Sequence, residues 1–515
     1  KTMGKVVIIC KDRPGFVVNR FFVPWLNEAC LLLEEGIASA AAIDAVAQKA
    51  FRIGMGPFAL MNLTGPPIAL HSTDYLAEQL NCPRYTGATN LRNMVEAGEM
   101  WNIGNDTDCS EDAATIIRER LLGQAFAVSA QIVEEDICSL EDVDRGAKVG
   151  LRWARGPFEI ANKLGIKEAV RMATKYAEIA NFKLPNWFAS CTEPLEFSYV
   201  DTIVNGEIAT IRINRPEAMN ALNETVVSQL GSALDAVNSR NDITTIVIDG
   251  AGKAFVAGAD VKFFVDKIRA NSIQDIYNFT AQGHEVLAKL ENSSKTTIAL
   301  TTGLALGGGL ELALSCDYRV GTRRSQFRFP ETNIGIYPGL GGTQRTPRIC
   351  GIEAARYAVL AGNFLDSKGA RALGILTHLV EPASVDSTIT EIALSGKPSN
   401  KYPAAPVDPS HPAVAFALAF YNDANMAALS SGNCPDGFSA EDKMVSRQLK
   451  SLSRTAPIAL AMASQLLDDA VNTGDNLKSG LDLELERLNA IFSTADALEG
   501  LSALIEGRRP SYTNS

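Results

Sequence analysis

Glu311 closes the run Gly307-Gly308-Gly309-Leu310-Glu311, and Glu331 follows a proline in Phe329-Pro330-Glu331. Two carboxyl groups held in unlike surroundings can divide general acid and base work between them. Glycines beside one of them can present backbone N–H groups to a developing oxyanion. The pairing points to proton chemistry next to a carbonyl. A second loop of small residues, Ala257-Gly258-Ala259-Asp260, would add another donor if it converged on the first. Each loop read alone is more simply a tight turn with close packing. The glycine run is not a phosphate-binding P-loop, because no Gly-Lys-Ser/Thr follows it.

The elements around these residues alternate. Residues 197–204 and 208–213 read as paired strands about the turn Asn205-Gly206. A helix is expected over 223–239 and apolar strands over 245–248 and 295–301, the last leading into the glycine run and a helix carrying Glu311. Strands alternating with helices predict an α/β domain. The N–H groups near Gly308 would then emerge at a helix N-terminus, where partial positive charge favours an anion. From Ser395 to about Pro412 the chain is rich in Pro, Ser and Asn and is expected to be an exposed excursion. Helical periodicity returns from Pro457.

The first half repeats itself. Leu33-Glu34-Glu35 matches Val133-Glu134-Glu135, Ile43-Asp44 matches Val143-Asp144, and Gly56-Pro57-Phe58 matches Gly156-Pro157-Phe158, all at an offset of one hundred. Each copy carries helical periodicity, as in Phe22, Leu26, Ala29 and Leu33. Each reads as a long helix, a turn, a second helix around Asp44 or Asp144, and then Gly-Pro-Phe, with proline suited to a helix's first turn. Residues from about 12 to 190 are expected to be two copies of one all-helical domain.

At 515 residues the chain exceeds a single core. Its formal net charge of -11 argues against nucleic acid as a partner. No apolar run is long enough to span a bilayer, and no signal-peptide pattern opens the chain. The nine dispersed cysteines contain no CxxC pair and read as reduced thiols of a cytoplasmic protein. The four histidines form no ligand motif, so no metal is expected.

The motifs of the second half resemble the crotonase (enoyl-CoA hydratase) superfamily. They are Ile213-Asn214-Arg215-Pro216 with Met219-Asn220-Ala221-Leu222, Ala257-Gly258-Ala259-Asp260, the Ala305–Glu311 run, Pro330-Glu331, Pro338-Gly339-Leu340-Gly341-Gly342-Thr343-Gln344-Arg345, Asp496-Ala497-Leu498-Glu499-Gly500 and Arg508-Arg509-Pro510. The resemblance implies a coenzyme A thioester substrate whose oxygen is held by the N–H groups of Ala259 and Gly308. It implies that Glu311 activates water and that Glu331 delivers a proton to the α-carbon of a trans-2-enoyl-CoA such as crotonyl-CoA. Ala257, Asp260 and Arg215 would border substrate or CoA, although Arg215 and the Arg508-Arg509 pair read more simply as solvated charges. Retention of both glutamates favours hydration over enoyl-CoA isomerisation, and also over a non-catalytic acyl-CoA-binding or assembly module.

The start, Asp12-Arg13-Pro14-Gly15-Phe16-Val17-Val18-Asn19-Arg20 with Met55-Gly56-Pro57-Phe58, resembles the C-terminal domain of 3-hydroxyacyl-CoA dehydrogenases. That resemblance gives Asn19 a substrate contact, whereas copy 2 has Glu119-Arg120 there and should be structural. It also implies a nucleotide domain ahead of residue 1. The chain opens on Lys1, as expected of a processed, cleaved or trimmed product, and Gly54–Ala59 follows a helix and fails the context for NAD binding. NAD is therefore expected only with that further domain, and no cofactor is expected on this chain. The order dehydrogenase before hydratase resembles archaeal-type bifunctional enzymes. The expected fold is an α/β crotonase spiral preceded by a duplicated all-α dehydrogenase C-terminal domain. Its parts are 1–100 and 101–190 for the helical copies, 191–197 for a linker, 198–391 for the crotonase core, 392–450 for an insertion matching no motif, and 451–515 for the C-terminal helices. Trimer and monomer both remain open.

Overall fold

The computed structural model describes residues 5–515. The chain divides into two compact units, Val6–Ser198 and Tyr199–Ser515.

The first unit is built from helices that recur at the offset seen in the sequence. Val18–Glu34, Ala40–Phe51, Pro57–Thr64 and Pro66–Gln79 are followed by Glu111–Glu134, Leu140–Arg145, Pro157–Leu164 and Ile166–Ile179. Ser39, Ser110 and Ser139 each cap a helix through the side-chain oxygen, satisfying N–H groups that have no partner within the helix. Gly56 and Gly156 are N-caps with proline next, as the Gly-Pro-Phe motif requires. Asp44 and Asp144 lock these helices from outside. Asp44 accepts from the N–H groups of Phe58 and Ala59 at 2.8 and 2.9 Å, and Asp144 from Phe158 and Glu159, both at 2.8 Å. The copies meet in an aromatic cluster in which Trp153 packs on Phe51 at 4.7 Å and on Trp25 at 5.8 Å. Reciprocal ion pairs, Arg20 with Glu135 and Arg120 with Glu35, both at 2.6 Å, join them as a pseudo-twofold would.

The second unit winds its strands into two sheets. The strands are β1 (Val200–Asn205), β2 (Ile208–Ile213), β3 (Thr245–Gly250), β4 (Ala254–Ala257), β5 (Thr296–Thr301), β6 (Leu304–Leu306), β7 (Tyr318–Gly321), β8 (Gln326–Arg328), β9 (Leu365–Asp366) and β10 (His378–Leu379). One sheet runs β1-β2-β3-β5-β7-β10 and the other β4-β6-β8-β9. Successive strands β3/β4, β5/β6 and β7/β8 thus alternate between sheets, so each turn of chain adds one strand to both. All six residues of β3 are buried, as expected of a strand covered on both faces. The edge strand β1 leaves Ile203 and Val204 exposed.

Two expectations need correction. The hairpin turn is Gly206-Glu207, and β1 begins at Val200, because Asn205 pairs with Ile208 inside the ladder. The stretch read as an exposed excursion is only partly one. Pro403 and Pro409 are exposed, but Lys401 and Tyr402 reach inward to Glu291. Helices then form before residue 457, at Pro412–Phe420, Asp423–Ser430 and Lys443–Leu452. Val414, Ala417, Phe420 and Tyr421 make their buried face, and Arg356 ties that face to Asp423 and Asp468.

Candidate active site

β4 ends in Gly258-Ala259-Asp260, which leads into the helix Val261–Arg269. Leu222 bridges this loop: its N–H donates to Gly258 O at 2.9 Å, and its carbonyl accepts from Asp260 N at 2.8 Å. The N–H between them, on Ala259, has no partner among the described residues. Asn220 fixes the arrangement from behind, donating to the carbonyls of Ala251, Ala254 and Phe255.

The other loop is β6 to the helix Gly308–Leu314. Gly307 turns the chain at φ 47°, ψ -123°, a backbone region that side chains avoid. A Cβ there would also stand 2.3 Å from Glu331 Oε1. The N–H of Gly308 begins the helix, so it has no carbonyl partner within it. Gly309 lets the helix rest on β4, since a Cβ would lie 2.1 Å from Val256 O. These contacts set the two open N–H groups in one wall.

Glu311 and Glu331 are 2 % and 7 % exposed. Glu311 Oε1 accepts from Leu340 N and Gly342 N, both at 2.7 Å. Its Oε2 has no partner among the described residues. Glu331 opens the 3-10 turn Glu331–Ile334, and its Oε2 is buried with nothing bonded to it. That turn is held by the C-terminal segment: Tyr512 Oη donates to Asn333 O at 2.6 Å, and Gly500 packs on the Ile334 carbonyl. Asp496 in turn accepts from Thr513 N and Asn514 N. Burial raises the Glu311 carboxyl to about 7, against the pull of its two N–H donors and Arg345. Burial also raises Glu331 well above its ordinary value, and the charge of Glu311 adds to it. The two carboxyls titrate jointly.

Ala257, Ala259, Gly308, Glu311 and Glu331 line one cavity of about 290 Å³. Its remaining wall is mainly apolar, including Phe264, Phe279, Leu488 and Phe492. Arg215 and Asp260 lie beside the Ala259 loop, bonded to each other at 3.4 Å, and do not line that cavity. Arg215 also sits over the Tyr199 ring. Arg508 is paired with Glu499 and Glu506. Asn19 lines a separate cavity of about 540 Å³ in the helical unit with Asp12, Arg13, His71 and Tyr75. Glu119, at the matching place in copy 2, is ion-paired to Arg171 and Lys175.

One buried acid was missed by the motif reading. Glu484, on the helix Leu477–Phe492, is fully buried and accepts from Gly341 N at 2.7 Å and from the Thr343 hydroxyl. The available signal was an acid on an apolar stripe, since Gly480, Glu484, Leu488 and Ile491 share the buried face of that helix. Among the described residues no three His, Cys, Asp or Glu side chains gather as metal ligands. No helix there is long and apolar enough to cross a membrane.

Comparison with known proteins fits this geometry. The family profile described as Enoyl-CoA hydratase/isomerase matches residues 208–515, and that of the 3-hydroxyacyl-CoA dehydrogenase C-terminal domain matches residues 15–105. A short-chain-enoyl-CoA hydratase of Clostridium acetobutylicum is 34% identical over 200 residues, covering 39% of this chain and 75% of the relative. A crotonyl-CoA hydratase of Syntrophomonas wolfei is 36% identical over 199 residues, 38% of this chain and 75% of the relative. Among solved structures, an enoyl-CoA hydratase from Rhodobacter sphaeroides superposes with TM-score 0.53 at 22% identity, over 62% of this chain and 93% of that one. A carnitinyl-CoA dehydratase from Mycobacterium thermoresistibile gives TM-score 0.52 at 21% identity, over 61% and 92%. These two likenesses concern the fold alone. The chain belongs to the enoyl-CoA hydratase/isomerase family, its crotonase unit following a 3-hydroxyacyl-CoA dehydrogenase C-terminal domain.

Proposed function

We propose that Glu311 and Glu331 add water across the double bond of a short trans-2-enoyl-CoA, giving the 3-hydroxyacyl-CoA. The observation carrying this reading is one small apolar cavity that joins two open N–H groups to two buried carboxyls, each with a free oxygen. The thioester oxygen takes the N–H groups of Ala259 and Gly308. Each such donor is worth roughly 3 to 4 kcal/mol of barrier. Electron withdrawal toward that oxygen makes the β-carbon electrophilic. Glu311, with a pKa near 7, is substantially ionised at neutral pH, and its free Oε2 orients and deprotonates the attacking water. Glu331, whose carboxyl burial and the charge of Glu311 raise well above its ordinary value, delivers its proton to the α-carbon. Isomerisation would need only one carboxyl to carry a proton between carbons, so the second buried acid favours hydration.

The hydrated product has a 3-hydroxyl group, the group that a 3-hydroxyacyl-CoA dehydrogenase oxidises. A chain carrying that dehydrogenase's helical domain fits the next step of the same sequence, with NAD held by a nucleotide domain and Asn19 facing the substrate. Crotonyl-CoA hydration by wild type, Glu311→Gln and Glu331→Gln tests the first half: a wild type that binds the thioester without hydrating it overturns the reading. NADH formation from 3-hydroxybutyryl-CoA and NAD tests the second, because NADH production by this chain alone would overturn the need for a further domain.

A further inference from the structure

The Glu311 oxygen rests on a turn that a second acid shares. In the sequence Leu340-Gly341-Gly342, the outer two N–H groups go to Glu311 Oε1 and the middle one goes to Glu484 Oε2, each at 2.7 Å. Glu484 Oε1 takes the Thr343 hydroxyl, which itself accepts from Gln344 Nε2 at 3.0 Å. The carbonyl side of the turn is pinned as well. Gly339 O meets His284 Nε2 at 2.7 Å, and Leu340 O accepts from Arg345 Nη1 at 2.9 Å. Three consecutive donors therefore point alternately to two carboxyls on opposite sides of one turn.

The geometry points to Glu484 as a positioning residue for Glu311: it holds the middle N–H so that the outer two converge on the base. This rests on the hydratase reading above. Glu484 touches no cavity surface and would act only through the turn.

The charges facing Glu484 explain why the coupling matters. From the helix Ile273–Glu291, His284 lies 3.8 Å away, but burial lowers its pKa to about 4, leaving it neutral near pH 7. From the helix Gly342–Cys350, Arg345 is paired with Glu291 at 2.8 Å. On Glu484's own helix, Arg487 is paired with Asp469 and Asp482 with Lys478. From the helix Gly308–Leu314 comes Glu311. Tyr337 adds only a hydroxyl, bonded to the Glu484 carbonyl. No unpaired cation among these neutralises Glu484, so the charge of Glu311 raises the cost of ionising Glu484. Burial and that same repulsion hold Glu484 at about 8.

The test compares Glu484→Gln and Glu484→Ala in the full chain with crotonyl-CoA. Glutamine keeps an acceptor for Gly341 N–H and cannot ionise. It should retain wild-type kcat within about threefold across the acid limb of the kcat–pH profile, where Glu484 is itself protonated. Alanine removes the anchor and should cut kcat roughly 10- to 100-fold with little change in KM, as a shift of the base does. A kcat for Glu484→Gln that falls as far as that of Glu484→Ala overturns the inference, as does an unchanged kcat in a folded Glu484→Ala. If alanine does not fold, Glu484→Asp decides in its place: its shorter side chain gives up the reach to Gly341 N–H, and a kcat equal to wild type overturns the inference. Wild type with no hydratase activity would instead overturn the reading of the site, so the two failures are distinguishable.

Discussion

Asp44 and Asp144 in the helical unit are buried carboxylates, as are Glu311 and Glu331 in the crotonase unit. The difference is in their oxygens. Each aspartate has an N–H donor on both oxygens, so its carboxyl is a fixed cap for the following helix. Glu331 has a buried oxygen with no donor, and Glu311 has two donors crowded on one oxygen and none on the other. Burial also raises Asp144, to about 8, so a displaced pKa does not separate the two kinds of site. An oxygen left open toward a cavity does. A fully bonded carboxyl can neither meet water nor exchange a proton without breaking the helix start that it holds.

The largest effect should come from closing those open oxygens. Glu311→Gln and Glu331→Gln should each lower kcat for crotonyl-CoA hydration by about 10²- to 10⁴-fold, whereas Asp44→Asn should leave it unchanged. Steady-state assays on all three would break the comparison if the aspartate variant lost activity while remaining folded. Next comes Gly307→Ala, where the added methyl presses on Glu331 Oε1 in a backbone conformation suited to glycine. It should reduce kcat about 100-fold and lower stability by about 1–3 kcal/mol, read from denaturant midpoints.

Asp144→Asn should show the opposite pattern. Replacing one of two acceptor oxygens by an NH2 group beneath two helix N–H groups should cost about 1–3 kcal/mol, detectable as an earlier unfolding step, with hydration rates unaltered. The smallest effect is in pH-dependent stability. Glu311 at about 7, Glu484 at about 8 and Glu331, raised well up by burial, all lie above their ordinary value of 4.5. The folded chain therefore binds protons that the unfolded chain releases. Their contribution is full below pH 4.5 and, for Glu311 and Glu484, is lost as pH rises through 7 to 8. Glu331→Gln removes one such acid and should melt about 2 °C or more above wild type at pH 8, the gap closing by about pH 5. Calorimetry showing equal gaps at both pH values would contradict the assignment of a raised pKa to Glu331.

What the residues revealed before any coordinates depended on how local the determinant was. Gly258, Gly307 and Pro330 sit next to the groups they orient, so Ala259, Gly308, Glu311 and Glu331 could be named from short motifs. The helical duplication was readable because Asp44 and Asp144 recur with their Gly-Pro-Phe partners at one spacing. Glu484 was not readable as part of this arrangement. It lies 173 positions beyond Glu311 and meets the same turn only after the C-terminal helices fold back. The buried face of residues 412–421 was obscured because its helices are short and flanked by proline and asparagine. The placement of Lys401 beside Glu291 is a tertiary pairing that no local pattern encodes.

The hold of Tyr512 on the Glu331 turn gives this protein an order of assembly. Both glutamates leave the ribosome well before Glu484, Gly500 and Tyr512 are made, and until then neither the Leu340–Gly342 turn nor the Glu331 turn has its anchors. A nascent or prematurely terminated chain can contain both glutamates and both small-residue loops and still lack these anchors. Competence therefore waits for residues 484–512, so a protease clipping that segment would silence the enzyme without touching either glutamate.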